Sequence, residues 1–239
     1  MTDDIAKSAL PWTAAKAARR SLVLSAVVCC GAINGDAGEP GAAVVHNRVI
    51  DWLSRLSLWD EVEPAEERIL RAPFGALTTD EANKSVWRSE GLVVLAWALN
   101  SFDLPPHDQQ IEPPAVAEAA YFLDDDAEEA IDAAKLRPLD QLKAYRELIY
   151  AIHSRLRDFA RNGGRQDFEK WIEDKWLNDL SLDPARLIID GDLAIDGKAI
   201  SLADEEGLSI CESIIRERHK AITWLYEGRE SYSLTQADT

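Results

Sequence analysis

Thr78-Thr79-Asp80-Glu81-Ala82-Asn83-Lys84-Ser85-Val86-Trp87-Arg88-Ser89-Glu90-Gly91-Leu92-Val93-Val94-Leu95-Ala96-Trp97-Ala98-Leu99-Asn100 is the stretch whose reading decides the fold. Thr78 and Glu81 have the spacing of a capping box, in which each side chain satisfies a free backbone N–H of the other. Every residue from Leu92 to Leu99 is apolar, so the helix that begins at Thr78 has no polar face left in its second half. A helix apolar on all sides belongs in the middle of a core. The run is far shorter than the roughly 18 residues that would indicate a membrane span.

One position breaks the pattern. At about 100° per residue, Trp87, Glu90, Val94 and Trp97 share a stripe. Glu90 therefore occupies a place where an aliphatic side chain would cost less. A buried carboxylate has to be paired, hydrogen-bonded or protonated. Gly91 beside it costs about 1 kcal/mol of helix propensity relative to Ala, and is expected to let another helix come close.

Working outward, residues 13–33 read as a first long helix with Ala18, Leu22, Ala26, Cys29 and Ile33 on one face. Lys16, Arg19 and Arg20 ahead of the apolar run Leu22–Ile33 faintly resemble a signal peptide. Asp3 and Asp4 come first, however, and no small-residue cleavage site follows, so secretion is not expected. Residues 42–59 carry the stripe Val45, Val49, Trp52, Leu56 and Trp59, with Arg48 at its edge. Pro64 opens a short helix to about Arg71. Residues 103–114, with four prolines, read as a surface loop. Short helices are expected over 115–123 and 126–135.

Residues 139–161 form an amphipathic helix with Leu142, Tyr145, Ile149, Ile152, Leu156 and Phe159 buried, and a second line of Arg146, Tyr150, His153 and Arg157. Asn162-Gly163-Gly164 ends it. A further helix is expected over 165–180, with Phe168, Trp171, Ile172 and Trp176. Within 187–200, Asp-Gly occurs twice between short apolar runs, which predicts a small β-hairpin. Ser201 with Asp204 is read as the cap of a last helix, about 202–227, whose buried face holds Cys211, Ile214, Ile215, Ile222 and Leu225. Arg218 falls in the middle of that face, a counterpart to Glu90. The expected architecture is mainly α: a single compact multi-helix domain over 13–227 with a hairpin near 187–200. Residues 1–12 and 228–239 are expected to be tails, the second of them frayed or irregular.

The chain of 239 residues, 46% hydrophobic with eight tryptophans, can bury a full core. Its net charge of −17 argues against nucleic acid and anionic membranes as partners and suits a basic protein partner. Three cysteines, two of them adjacent, are no disulfide framework, which points to reduced thiols and a cytoplasmic location. No nucleophile elbow, nucleotide fingerprint or redox Cys-x-x-Cys is present, so neither a cofactor nor a catalytic residue is assigned. No metal is expected either. The aspartates of 187–200 fail a calcium-loop pattern at Ala194, and Glu90, His153 and His219 lack the local spacing of a zinc site.

Several of these stretches resemble one bacterial family, the domain of unknown function 4272. They are Trp87-Arg88-Ser89-Glu90-Gly91-Leu92 with Leu95-Ala96-Trp97-Ala98-Leu99, Ile149-Tyr150-Ala151-Ile152-His153, Asp190-Gly191-Asp192-Leu193-Ala194-Ile195-Asp196-Gly197-Lys198, and Glu217-Arg218-His219-Lys220-Ala221 with Trp224-Leu225. The likeness runs in order from about residue 13 to the C-terminus. Ser154 departs from it, where an aromatic is expected after the histidine. The resemblance implies a mostly helical domain and no particular activity.

Two readings of the charges follow. Glu90 and Arg218 are either a buried ion pair that fixes how two core helices meet, or part of a pocket. In the pocket reading Glu90 is a base or ligand anchor, Arg218 clamps an anion, and Arg48, His153, Arg157, Trp97 and Trp87 stand around them. The first reading accompanies a non-catalytic interaction or regulatory module of immunity type, and the second a small-molecule-binding protein or enzyme.

Overall fold

Thr78 and Glu81 make the expected capping box: the Thr78 hydroxyl accepts from the Glu81 N–H, and the Glu81 carboxylate accepts from the Thr78 N–H. The helix they open is interrupted once. Arg88 separates α4 (Thr79–Trp87) from α5 (Ser89–Ala98), although the Leu92 N–H still reaches back to the Arg88 carbonyl. Every residue of α5 is buried, as its composition requires. The computed structural model describes residues 10–35, 38, 41–172, 180 and 183–237.

The elements before the central pair are α1 (Ala14–Gly35), α2 (Ala42–Arg55) and α3 (Pro64–Leu70). After it come α6 (Pro113–Ala119), α7 (Ala127–Ala133), the long α8 (Leu139–Asn162) and finally α9 (Glu205–Glu227). A single helical turn, Pro184–Leu187, leads into the sheet. Two apolar clusters share α1. One collects α5, α8, α9 and the sheet; the other collects α2, α3 and α7 around Val23, Val27, Trp52 and Leu53. Ala14–Asn34 is long and apolar enough to cross a membrane by length and composition, and most of it is buried inside the fold. Gly31 allows α1 and α4 to touch, because a Cβ there would lie 2.6 Å from Ser85 Cβ and 2.8 Å from the Ala82 carbonyl oxygen.

Four expectations gain detail or correction. The expected hairpin is present near 187–200 and extends to a three-stranded antiparallel meander, β1 (Ile188–Ile189), β2 (Asp192–Ile195) and β3 (Lys198–Ala199). Both Asp-Gly pairs turn the chain: Asp190, Gly191, Asp196 and Gly197 all have positive φ, as a tight two-residue hairpin turn demands. Ile188 pairs with Leu193 and Ala194 with Ala199. Second, the first described residues of the expected 165–180 helix form only a 3-10 turn, Phe168–Lys170, and Trp176 lies outside the described residues. Third, the cap of the last helix is Asp204, whose side chain accepts from the Gly207 N–H, while Ser201 belongs to a 3-10 turn.

Fourth, the flanking segments enter the core. Trp12 stacks on Trp224 with ring centroids 5.8 Å apart. The described residues after Gly228 have no helix or strand, as expected, yet Tyr232 is fully buried. Glu63 receives the Tyr232 N–H at 2.5 Å and the Ser233 N–H at 2.7 Å. The Tyr232 ring packs against Trp224, and its hydroxyl occupies the space that a side chain at Gly91 would need. Gly91 thus does permit a close approach, but by a tail tyrosine as well as by Ala221 of α9, 3.5 Å from where a Cβ would be.

Candidate functional site

The proline-rich segment 103–112 has no regular structure, so its backbone carbonyls need donors from elsewhere. Arg218 supplies them. Its position on the buried face of α9, in line with Ile214, Ile215 and Ile222, drives the guanidinium inward. Nε donates to Glu90 Oε2 at 2.9 Å, and Nη2 lies 2.8 Å from the same oxygen as an ion-pair contact. Nη1 donates to the carbonyls of Pro105 and Pro106 at 3.1 and 2.9 Å, and Nη2 also to that of Gln109 at 2.8 Å. Glu90 Oε1 accepts the Ile111 N–H at 2.8 Å. Each of the three guanidinium nitrogens has a hydrogen-bond acceptor, and both partners are almost wholly excluded from solvent. Glu90 also lies in the first turn of α5, where the helix dipole favours a carboxylate.

This arrangement joins the two residues that the sequence singles out, and it engages both Glu90 oxygens and all three guanidinium nitrogens. Glu90 has no access to solvent. Trp97 lies nearby, paired with Tyr145 at 4.9 Å between ring centroids and flanked by Arg137. Trp87 is half-buried on the preceding helix. Three members of the expected group are elsewhere. Arg48 is exposed and donates to the Leu123 carbonyl at 3.1 Å, because its place at the edge of the α2 stripe turns it towards α7. His153 and Arg157 sit on a different face of α8 and line a separate pocket.

Beside Arg218 there is a cavity of about 320 Å³. Its walls are Leu104, Leu148, Ile149, Ile152 and Leu187, with Pro105 and Pro106 as one side and Asp183 and Arg186 among its polar members. Tyr145 also lines it, and the Tyr145 hydroxyl is buried with no hydrogen-bond partner. Burial raises the pKa of that phenol, so it stays a neutral donor and acceptor. His107 at the same cavity is held by the Ala194 carbonyl, 2.6 Å from Nε2, and burial lowers its pKa; the ring is neutral with its proton on Nε2.

The second pocket, about 440 Å³, lies between α8, α9 and the tail. His153 lines it, and its Nδ1 lies 3.0 Å from that of His219, so one ring donates to the other. Burial, with Arg157 and Arg216 near His153, and with His153 and Arg146 near His219, pushes both imidazoles down to about 4. The thiols offer no nucleophile: burial raises Cys29 to about 11 and Cys30 and Cys211 to about 12. Among the described residues no group of three or more His, Cys, Asp or Glu could hold a metal ion.

Two buried charge clusters were not legible in the sequence. Arg155 grips Asp192 with two bonds of 2.8 Å, tying β2 to α8. Glu66, fully buried, is held between Arg20 at 2.6 Å and Arg88 at 2.8 Å. Arg155 follows Ile152 at helical spacing on an otherwise mixed face, so period alone gives it no special mark.

A model of the family described as Domain of unknown function (DUF4272) matches residues 6–167. The motifs at Asp190–Lys198 and Glu217–Leu225 lie beyond the matched residues. No curated protein and no solved structure matches the chain.

Proposed function

The chain belongs to the DUF4272 family, a domain of unknown function, and from that premise we propose that it is a non-catalytic binding protein for a compact, largely apolar small molecule carrying one hydrogen-bonding group. The observation that carries this reading is the unpartnered Tyr145 hydroxyl in a cavity of about 320 Å³ with aliphatic walls. Ligand sites are typically concave, mostly apolar and about 300–1,000 Å³, with a few placed polar groups. A buried hydroxyl without a partner costs free energy that a ligand's polar atom restores. Arg218 contributes charge but no free donor, so it shapes the cavity rather than clamping an anion. The Glu90–Arg218 pair then serves as the rigid support of one wall.

The test uses 1-naphthol, an apolar body with one hydroxyl, followed by ligand-observed NMR. Binding is expected, weakened about fivefold by Tyr145→Phe, in keeping with ~1 kcal/mol for one hydrogen bond. Leu148→Trp, which fills the cavity, is expected to abolish it. Binding that both variants leave unchanged would sink the proposal.

One observation favours a second reading, an interaction module for a basic partner. Asp124, Asp125, Asp126, Glu128, Glu129 and Asp132 are all exposed around α7. Binding of a basic partner by this ridge is expected to weaken steeply with salt. The free thiols fit a reducing, cytoplasmic setting.

A further inference from the structure

The fold pairs its buried guanidinium groups: Arg20 and Arg88 with Glu66, Arg155 with Asp192, and Arg218 with Glu90. The pocket between α8, α9 and the tail departs from that habit. Arg157, Arg216 and Lys220 line it, and among the described residues none of the three has a carboxylate within ion-pairing distance. Lys220 lies over the Tyr232 ring at 5.3 Å, and burial lowers its pKa. Arg157 and Lys220 are partly buried, and Arg216 is exposed at the same pocket. A partly buried cation with no counter-ion is costly, and a bound anion would offset that cost.

The pocket is not simply basic. Glu217 also lines it, and one Glu217 carboxylate oxygen is buried with no donor. Glu212 stands exposed at the same pocket. An unpaired carboxylate among unpaired cations calls for a ligand that brings both an anionic group and a hydrogen-bond donor. A protonated phosphate group has both on one atom centre: anionic oxygens, and one P–OH. Sulfate has the first and lacks the second.

We propose that this pocket binds the phosphoryl group of a small phosphorylated molecule, with Arg157 and Arg216 holding the anionic oxygens and Glu217 accepting the P–OH hydrogen. Lys220 adds charge at the Glu217 end. His153, neutral and in the field of Arg157 and Arg216, forms the floor. The volume, about 440 Å³, leaves room for an organic group beyond the phosphate. The site is distinct from the apolar cavity beside Arg218 and stands or falls separately from it.

Calorimetry near pH 6 and low ionic strength, where a phosphate ester is about half protonated, tests it with inorganic phosphate, glycerol 3-phosphate and sulfate. Phosphate is expected to bind at least tenfold more tightly than sulfate, and glycerol 3-phosphate more tightly still if the organic group is held. Equal affinity for both phosphates would assign the site to free phosphate. Arg157→Gln and Arg216→Gln, neither of which breaks a bond in the fold, are each expected to weaken phosphate at least tenfold. Glu217→Gln is expected to erase the preference over sulfate. Phosphate is also expected to raise the pKa of His153 followed by its ring proton signals. Equal binding of phosphate and sulfate by the unaltered protein, or unchanged phosphate binding in both arginine variants, would overturn the proposal.

Discussion

Arg218 donates from Nε to Glu90 Oε2, with Nη2 also 2.8 Å from that oxygen, and donates three more hydrogen bonds to the carbonyls of Pro105, Pro106 and Gln109. The pair is therefore a staple for a loop as well as a contact between α5 and α9. Replacing a buried ion pair by apolar residues is often neutral, whereas removing one partner costs about 3–5 kcal/mol. Here the apolar double replacement is not expected to be neutral, because three carbonyls lose their donor with it. Arg218→Met is expected to destabilise by about 3–5 kcal/mol in urea unfolding, and Glu90→Leu/Arg218→Met to recover only part of that. Full recovery would show that the loop does not depend on Arg218.

Gly91 and Tyr232 make a paired test. Gly91→Ala improves helix propensity by about 1 kcal/mol, but its methyl would overlap the Tyr232 hydroxyl. A net loss of about 1–3 kcal/mol is expected from overpacking. That hydroxyl has no hydrogen-bond partner, so Tyr232→Phe alone is expected to be close to neutral. The double variant should regain most of the loss, since the next ring atom lies 3.3 Å from the added carbon. A thermal-melt cycle over the four proteins reads the coupling directly.

Asp192 holds the sheet to α8. Burial raises its proton affinity, and the Arg155 guanidinium with the N–H groups of Gln166 and Leu193 outweighs this, leaving the pKa lowered. Asp192→Asn keeps the shape and removes the charge opposite Arg155. A loss of about 3–5 kcal/mol is expected, as for other broken buried pairs. Hydrogen exchange should show faster opening of β2 and of the segment after Gly164 than of α5.

The histidine pair sets an acid limit. His153 and His219 both titrate near 4 in the fold, against 6.5 for an unfolded histidine. Between those values the unfolded chain binds more protons, so stability falls as pH drops below about 6.5 and the loss is complete near 4. Above 6.5 the pair contributes no pH dependence. The groups around it are Arg157, Arg216, Arg146, Glu227 and the Tyr150 ring. A shift of this size is worth about 3 kcal/mol for the first proton taken up. His153→Gln/His219→Gln is expected to flatten the denaturation midpoint between pH 6.5 and 4.5. An unaltered slope would assign the acid sensitivity to the carboxylates.

Much of the fold was legible because burial leaves a periodic trace. The capping box at Thr78, the apolar run of α5, the stripe of α9 and the two Asp-Gly turns each carried their own local signal. Glu90 and Arg218 could be matched because each interrupts an otherwise apolar face. Arg155, Asp192 and Glu66 interrupt nothing: they lie in mixed segments, where a charge is the ordinary choice. Arg48, His153 and Arg157 were grouped with Glu90 from their places on helices, but a face does not say which neighbour it meets. Tyr232 had no periodic context at all, so its burial became visible only with the tail docked on Glu63.

That docking also bears on how the protein is made. A chain leaves the ribosome N-terminus first, at roughly 5–20 residues per second. Helix α1, apolar enough to be mistaken for a membrane span, emerges long before α8 and α9 exist to cover it. The notch at Gly91 then stays open until Tyr232, which follows all of α9, arrives. A chain cut before Tyr232 would keep every described helix and have a hole in its core beside Gly91.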